Sequence, residues 1–207
     1  MGENFTSIYL TMLSIIQGVA LTDLANIAFT DREHFGLYNW LEVTTMIWSL
    51  IYIWNHFMGD ALMAHWIPDI EDALLLFGTG VLELVANHAI VWGMPLWLAT
   101  LAVMFGCWAA GTGYIRAQEE QVVSEPILLA MLRRRTKPLL TMTVLGAAIL
   151  GILAFATAHW TSVPLTAGAC VALAISLLIG FYSCSFWRGV RRYANTGVAP
   201  AGIEAAT

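Results

Sequence analysis

The sequence predicts an all-α integral membrane protein: about six transmembrane helices in a compact bundle, with both termini in the cytoplasm. Three observations lead there. Hydrophobic residues make up 59% of the 207 and charged residues 11%, with a mean hydropathy of +0.73, well outside the balance of a soluble domain. Apolar stretches of membrane-crossing length recur at roughly 5–29, 37–62, 71–92, 96–115, 138–159 and 163–185, and the short connections favour antiparallel neighbours. The bases sort by loop: Arg116, Arg133, Arg134, Arg135 and Lys137 lie between the fourth and fifth stretches, Arg188, Arg191 and Arg192 follow the sixth, and Arg32 alone falls on the other side. The positive-inside rule then places the 116–137 connection and both termini in the cytoplasm, in the cell (inner) membrane.

The first stretch follows an N-terminus that carries an acid and no base, so it reads as a retained span and not a signal peptide. MGENFT fits the myristoylation pattern, yet one acyl chain adds little to a chain anchored by several spans. Along this span Ser7, Thr11, Ser14, Gly18, Thr22 and Asn26 follow in steps of three or four, a small and hydroxylated stripe flanked by Gln17 and Asp23.

The second stretch, LYNWLEVTTMIWSLIYIWNHFMGDAL, carries a polar seam. Glu42, Thr45, Ser49, Tyr52, His56 and Asp60 fall within an arc of about 80° on a helix. From Glu42 to Asp60 the rise is ~27 Å, against a hydrocarbon thickness of ~30 Å, so the seam nearly crosses the membrane. The third stretch adds Thr79, Glu83 and Asn87 at i, i+4 spacing, with His88 beside Asn87. A carboxylate near a span centre costs about 2.5–3.5 kcal/mol on insertion scales, so Glu83 offsets several apolar residues of its own helix. Such groups need partners or water. By depth, Asp23, Asn26, Glu42, Asn87 and His88 belong to the outer half, Glu83 to the middle, and His56 and Asp60 to the inner half, continuing into an acidic mouth with His65, Asp69, Glu71 and Asp72.

The later spans hold no acid or base in their interiors. Gly111, Gly113, Ala147, Gly151, Gly168, Ala172 and Ser176 give them small-residue spacing suited to close helix approach, within the bundle or in a homo-oligomer. The chain thus reads as one polytopic domain, 1–192, with a polar half at 1–92 and a scaffold half at 93–192. Between the fourth and fifth spans, SEPILLAMLRRRTKP reads as a short interfacial helix over about 124–136 with Ser124 as N-cap. The tail 193–207 lacks apolar periodicity and reads as loose. The tryptophans at 40, 48, 54, 66, 92, 97, 160 and 187 read as mostly interfacial or lipid-facing, with Trp48 and Trp54 deeper.

Composition and spacing also exclude. The net charge of -5 gives no basis for a nucleic-acid partner. Cys107, Cys170 and Cys184 are isolated in apolar segments, which suggests neither a disulfide framework nor a zinc ribbon. No nucleophile motif or phosphate loop stands out. No cofactor is expected; a membrane-embedded metal or haem enzyme is the lesser alternative, with His56, Asp60 and His65 as the nearest metal set, and no HExxH or CxxC spacing supports it. His56 and His88 fall at opposite depths, which disfavours a bis-histidine haem.

The leading functional expectation is a channel or transporter for protons or a small cation, its polar route lined by the first three spans. The pathway residues are Asp23, Glu42, Tyr52, His56, Asp60, Glu83, Asn87 and His88: ion or proton binding at Glu83, Asp23 and His88 as outer partners, and His56 with Asp60 as inner relay or gate. The plainer alternative is that these groups form hydrogen-bonded seams that fix packing, at about 0.6 kcal/mol each, or that they are buried against a membrane partner subunit of a larger complex. Trp54-Asn55-His56 on a second span resembles bacterial relatives of the lysosomal-type potassium channel, but the Phe-Ser-Asp-Gly of their first span is replaced by SIIQGVAL, and no membership is assigned.

Overall fold

The structure, a computed structural model, describes residues 2–63, 70–122, 125–160 and 162–197, with side chains for 7–58, 74–114, 125–160, 162–193 and 195–197. The described residues form six α-helices and no strand: α1 Gly2–Thr30, α2 Leu37–Met63, α3 Ile70–Trp92, α4 Met94–Val122, α5 Pro126–His159 and α6 Leu165–Thr196. Five of them, all but α2, are long and apolar enough to cross a membrane, which is compatible with a helical membrane bundle. The exception is the helix with the polar seam. Asn39, Glu42, Tyr52, Asn55 and His56 lower its hydropathy below that of its neighbours, and all of these but the half-buried Asn55 lie inside the bundle.

Helix ends follow local chemistry. Between α1 and α2, the Asn39 carboxamide oxygen accepts the Gly36 N–H at 3.0 Å and closes the turn. Gly93 breaks the chain between α3 and α4 with φ +125, a conformation that a side chain would strain, and Pro95 fits the first turn of α4. At the start of α5 the N-cap position is Glu125, with Pro126 in the first turn; Ser124, expected as the cap, lies outside the described residues. Gly197, at φ +67, ends α6 by donating its N–H to the Tyr193 carbonyl at 2.8 Å.

Two expected boundaries move. The stretch expected to form a separate interfacial helix at 124–136 is the beginning of α5, which runs unbroken through Pro138 for 34 residues. At 1.5 Å per residue that is ~51 Å, longer than the ~30 Å hydrocarbon core, so the helix extends past one face of the membrane it would cross. The proline removes one backbone donor, and its neighbours keep helical geometry. Likewise Tyr193–Thr196 belong to α6 and not to a loose tail; residues 198–207 lie outside the described ones. The Tyr193 hydroxyl donates to the Glu125 carboxylate, tying the end of α6 to the start of α5.

Small residues set several helix contacts. A methyl group on Gly80 would stand 2.4 Å from Ile16 Cγ2, so α1 and α3 touch there only because position 80 is glycine. Gly111 meets Leu75, and Gly168 meets Leu98 and Met94, while Gly113 and Gly151 face open space. Trp48 from α2 lies flat enough against α6 that a methyl on Gly180 would come within 2.5 Å of its Nε1, which donates to the Ser176 carbonyl at 3.0 Å. Gly180→Ala is expected to push the indole off that carbonyl and cost about 1–3 kcal/mol, read as a lower thermal midpoint in detergent, whereas Gly151→Ala leaves the midpoint unchanged or higher. Trp97, expected at an interface, is fully buried at the centre beside Leu98 and Leu101. Trp54 is 40% exposed and faces outward.

Candidate functional site

The α2 seam points into the bundle. Glu42 and Thr45 are fully buried, and Ser49, Tyr52 and His56 nearly so. Asp60 belongs to α2, but its side chain is outside the described ones, and His65 lies outside the described residues altogether. Only His56 of the possible metal set can therefore be placed. Among the described residues no group of three His, Cys, Asp or Glu side chains comes together.

The α1 stripe points the other way. Thr11, Ser14, Gly18, Thr22 and Asn26 are all exposed on the bundle's outside. Thr11, Ser14 and Thr22 each donate to a carbonyl one turn back, at 2.8–2.9 Å. This is the physical reason a hydroxylated stripe can face outward: the helix's own backbone satisfies it. The inward contacts come from the two flanking residues. Gln17 donates through Nε2 to both oxygens of Glu83, at 2.8 and 3.0 Å, and the fully buried Glu83 is thereby held between α1 and α3.

One turn along α3, Asn87 donates to the Ala20 carbonyl at 2.9 Å and to Asp23 Oδ2 at 3.1 Å. Asp23 Oδ1 lies 3.4 Å from His88 Nε2, and this pair reaches the surface, with His88 half exposed and Asp23 23% exposed. Asn39 donates to Glu42 Oε2 at 3.1 Å, and the other Glu42 oxygen has no hydrogen-bond partner. Glu42 and Glu83 are thus two buried carboxylates whose side-chain partners are amides; among the described residues no cation sits on either. In a low-dielectric interior a carboxylate so placed is favoured by taking up a proton or a cation.

Arg135 is the residue the sequence concealed. Within the run Arg133-Arg134-Arg135 it reads as part of a solvated basic cluster. Its neighbours Arg133 and Arg134 are indeed exposed, but Arg135 is 2% exposed. Its guanidinium donates to His56 Nδ1 and, at 3.3 Å, to Ser183 Oγ, and lies over the rings of Phe186 and Trp187 at 4.5 and 5.0 Å from their centroids. Since arginine only donates, Nδ1 of His56 is the acceptor and the ring proton sits on Nε2. While this bond stands, Nδ1 of His56 is engaged.

Between these clusters, α2, α3, α4 and α6 line a partly open cavity of about 40 Å³. Ser49, Tyr52 and His56 of the seam line it together with Thr79, one turn from Glu83. Trp108, not singled out from the sequence, forms an aromatic wall with Tyr52 at 4.2 Å between centroids and His56 at 5.1 Å. Only its position in an apolar α4 marked it beforehand, and that position gave no sign of the cavity. Comparisons with protein-family models, curated proteins and solved structures find no match for the chain.

The opposite facings of α1 and α2 have a direct test. With cysteine placed singly on the reconstituted protein, Thr45→Cys is expected to resist a bulky maleimide, while Thr22→Cys reacts with a membrane-permeant one. Equal labelling of both would contradict the packing described.

Proposed function

We propose that this is a six-span membrane protein that moves or couples protons, with Glu83 as the central binding group and the polar faces of α1, α2 and α3 as the route. The observation that carries the reading is the pair of buried carboxylates, Glu42 and Glu83, held by amides without a cation. With the basic loops in the cytoplasm, the partly exposed Asp23–His88 pair forms the outer access. Glu83 lies one turn from Asn87 at mid-depth, and the cavity and the Arg135–His56 contact follow toward the inner side.

Arg135 bears on the inner exit of any cation. In a medium of effective dielectric about 20, two unit charges 4 Å apart repel by about 4 kcal/mol, and this acts on the charge of a proton as on that of a metal ion. The preference for a proton rests on room: it passes along hydrogen bonds and needs no space for an ion with its coordination shell. The described conformation is then one with its inner end closed by Arg135, opened when that side chain lets go of His56.

The test is flux. Purified protein in liposomes with an entrapped pH indicator is expected to dissipate an imposed proton gradient faster than protein-free liposomes, and to leave sodium and potassium gradients intact. Wild-type liposomes no leakier to protons than empty ones would rule out the reading. A second reading, a membrane subunit buried against a partner, draws on the exposed small and hydroxylated stripe of α1 and is favoured if a stoichiometric partner co-purifies on that face.

A further inference from the structure

The cavity between α2, α3, α4 and α6 has features that the three-helix route does not use. Three of its lining side chains, Ser49 on α2, Thr112 on α4 and Ser176 on α6, are at least 95% buried, and none of their hydroxyls has a hydrogen-bond partner. An unsatisfied buried hydroxyl costs on the order of 1–3 kcal/mol, so three around one space point to something that hydrogen-bonds to them there. The space itself limits what that is. A water needs roughly 10–15 Å³ of cavity and two to four polar partners, so a cavity of about 40 Å³ has room for about three waters. The lining contains no Asp, Glu, Lys or Arg, so an ion would find no opposite charge and the occupant is neutral.

We infer that this cavity is a binding site for a cluster of about three waters, held by Ser49, Thr112 and Ser176, which joins α4 and α6 to the proton route. Thr79, which lines the cavity, is one helical turn from Glu83, and His56 lines it as well. The aromatic face of Tyr52 and Trp108 gives water few competing hydrogen bonds, which leaves the molecules free to reorient as protons pass. Protons move by exchange along the chain of waters, each molecule accepting one and releasing another, so no water is consumed and no co-reactant is needed. The scaffold half of the chain thereby supplies part of the functional site.

The inference rests on the proton reading for its role but not for the presence of water, and two measurements separate them. Water-edited solid-state NMR on the protein in lipid bilayers is expected to transfer magnetisation from water to Thr112 and Ser176 several-fold faster than to the lipid-facing Ile152 and Phe181. Transfer as slow as at those two would overturn the water site, whatever the flux. In liposomes, the double variant Thr112→Val with Ser176→Ala is expected to lower proton flux at least fivefold while keeping the wild-type thermal midpoint or raising it; the single variants serve if the double fails to fold. Unchanged flux in a folded variant would overturn the role of the cluster, while absence of flux in the wild type, with rapid water transfer, would remove the proton reading and leave the water site standing.

Discussion

Arg135→Ala is expected to be the most destabilising single change at the end of the bundle near His56, by about 2–4 kcal/mol. Two hydrogen bonds from a charged donor and the stacking of the guanidinium on Phe186 and Trp187 are lost together. The same truncation at Arg133 or Arg134, both exposed, should stay within about 0.5 kcal/mol of wild type. Arg135→Lys keeps the charge without the planar fork and should fall between. Unfolding in detergent, followed by tryptophan fluorescence, reads all four proteins. Equal effects at 133, 134 and 135 would mean that the arginine run acts as one solvated cluster after all.

Glu83→Gln should separate transport from stability. Glutamine is close to isosteric with glutamate and can still bond Gln17, and it removes a carboxylate from a fully buried position. The thermal midpoint is therefore expected to hold or rise, while proton flux falls at least tenfold because the group can no longer bind and release a proton. Glu83→Asp keeps the acid but shortens the reach to Gln17, so flux should fall less than in Glu83→Gln. Loss of stability without loss of flux would return Glu83 to the role of a packing group, the plainer alternative that the sequence also allows.

Much of the helical layout was legible in the sequence, because apolar runs are separated by strong local signals. Gly93 and Pro95 separate α3 from α4, and Pro126 opens α5. What misled was reading local signals as interruptions: Pro138 and the arginine run suggested a break in what is one long helix. Helical spacing also gathered Glu42, Thr45, Ser49, Tyr52 and His56 onto one face, and that face is buried; the side chain of Asp60 lies outside the described ones. The same spacing could not say which way the α1 stripe turns, because hydroxyls satisfied by their own backbone are tolerated on either side. Glu42, Glu83 and Asn87 turn inward, whereas Asn26 of the α1 stripe is exposed. Arg135 was hidden for a different reason. Three consecutive residues on a helix point about 100° apart, so one of a charged run can face the interior while the others face out, and composition does not reveal which.

The central claim is that Glu83 binds and releases the transported proton, and infrared spectroscopy tests it most directly. When pH is stepped across the reconstituted protein, the difference spectrum is expected to show C=O stretches of buried carboxylic acids, of which one shifts in Gln17→Leu by loss of the hydrogen bond from the Gln17 amide and is missing in Glu83→Gln, while any band of Glu42 remains. A wild-type spectrum without such a band, or a Glu83→Gln spectrum that has lost none of the wild-type bands, would contradict the claim.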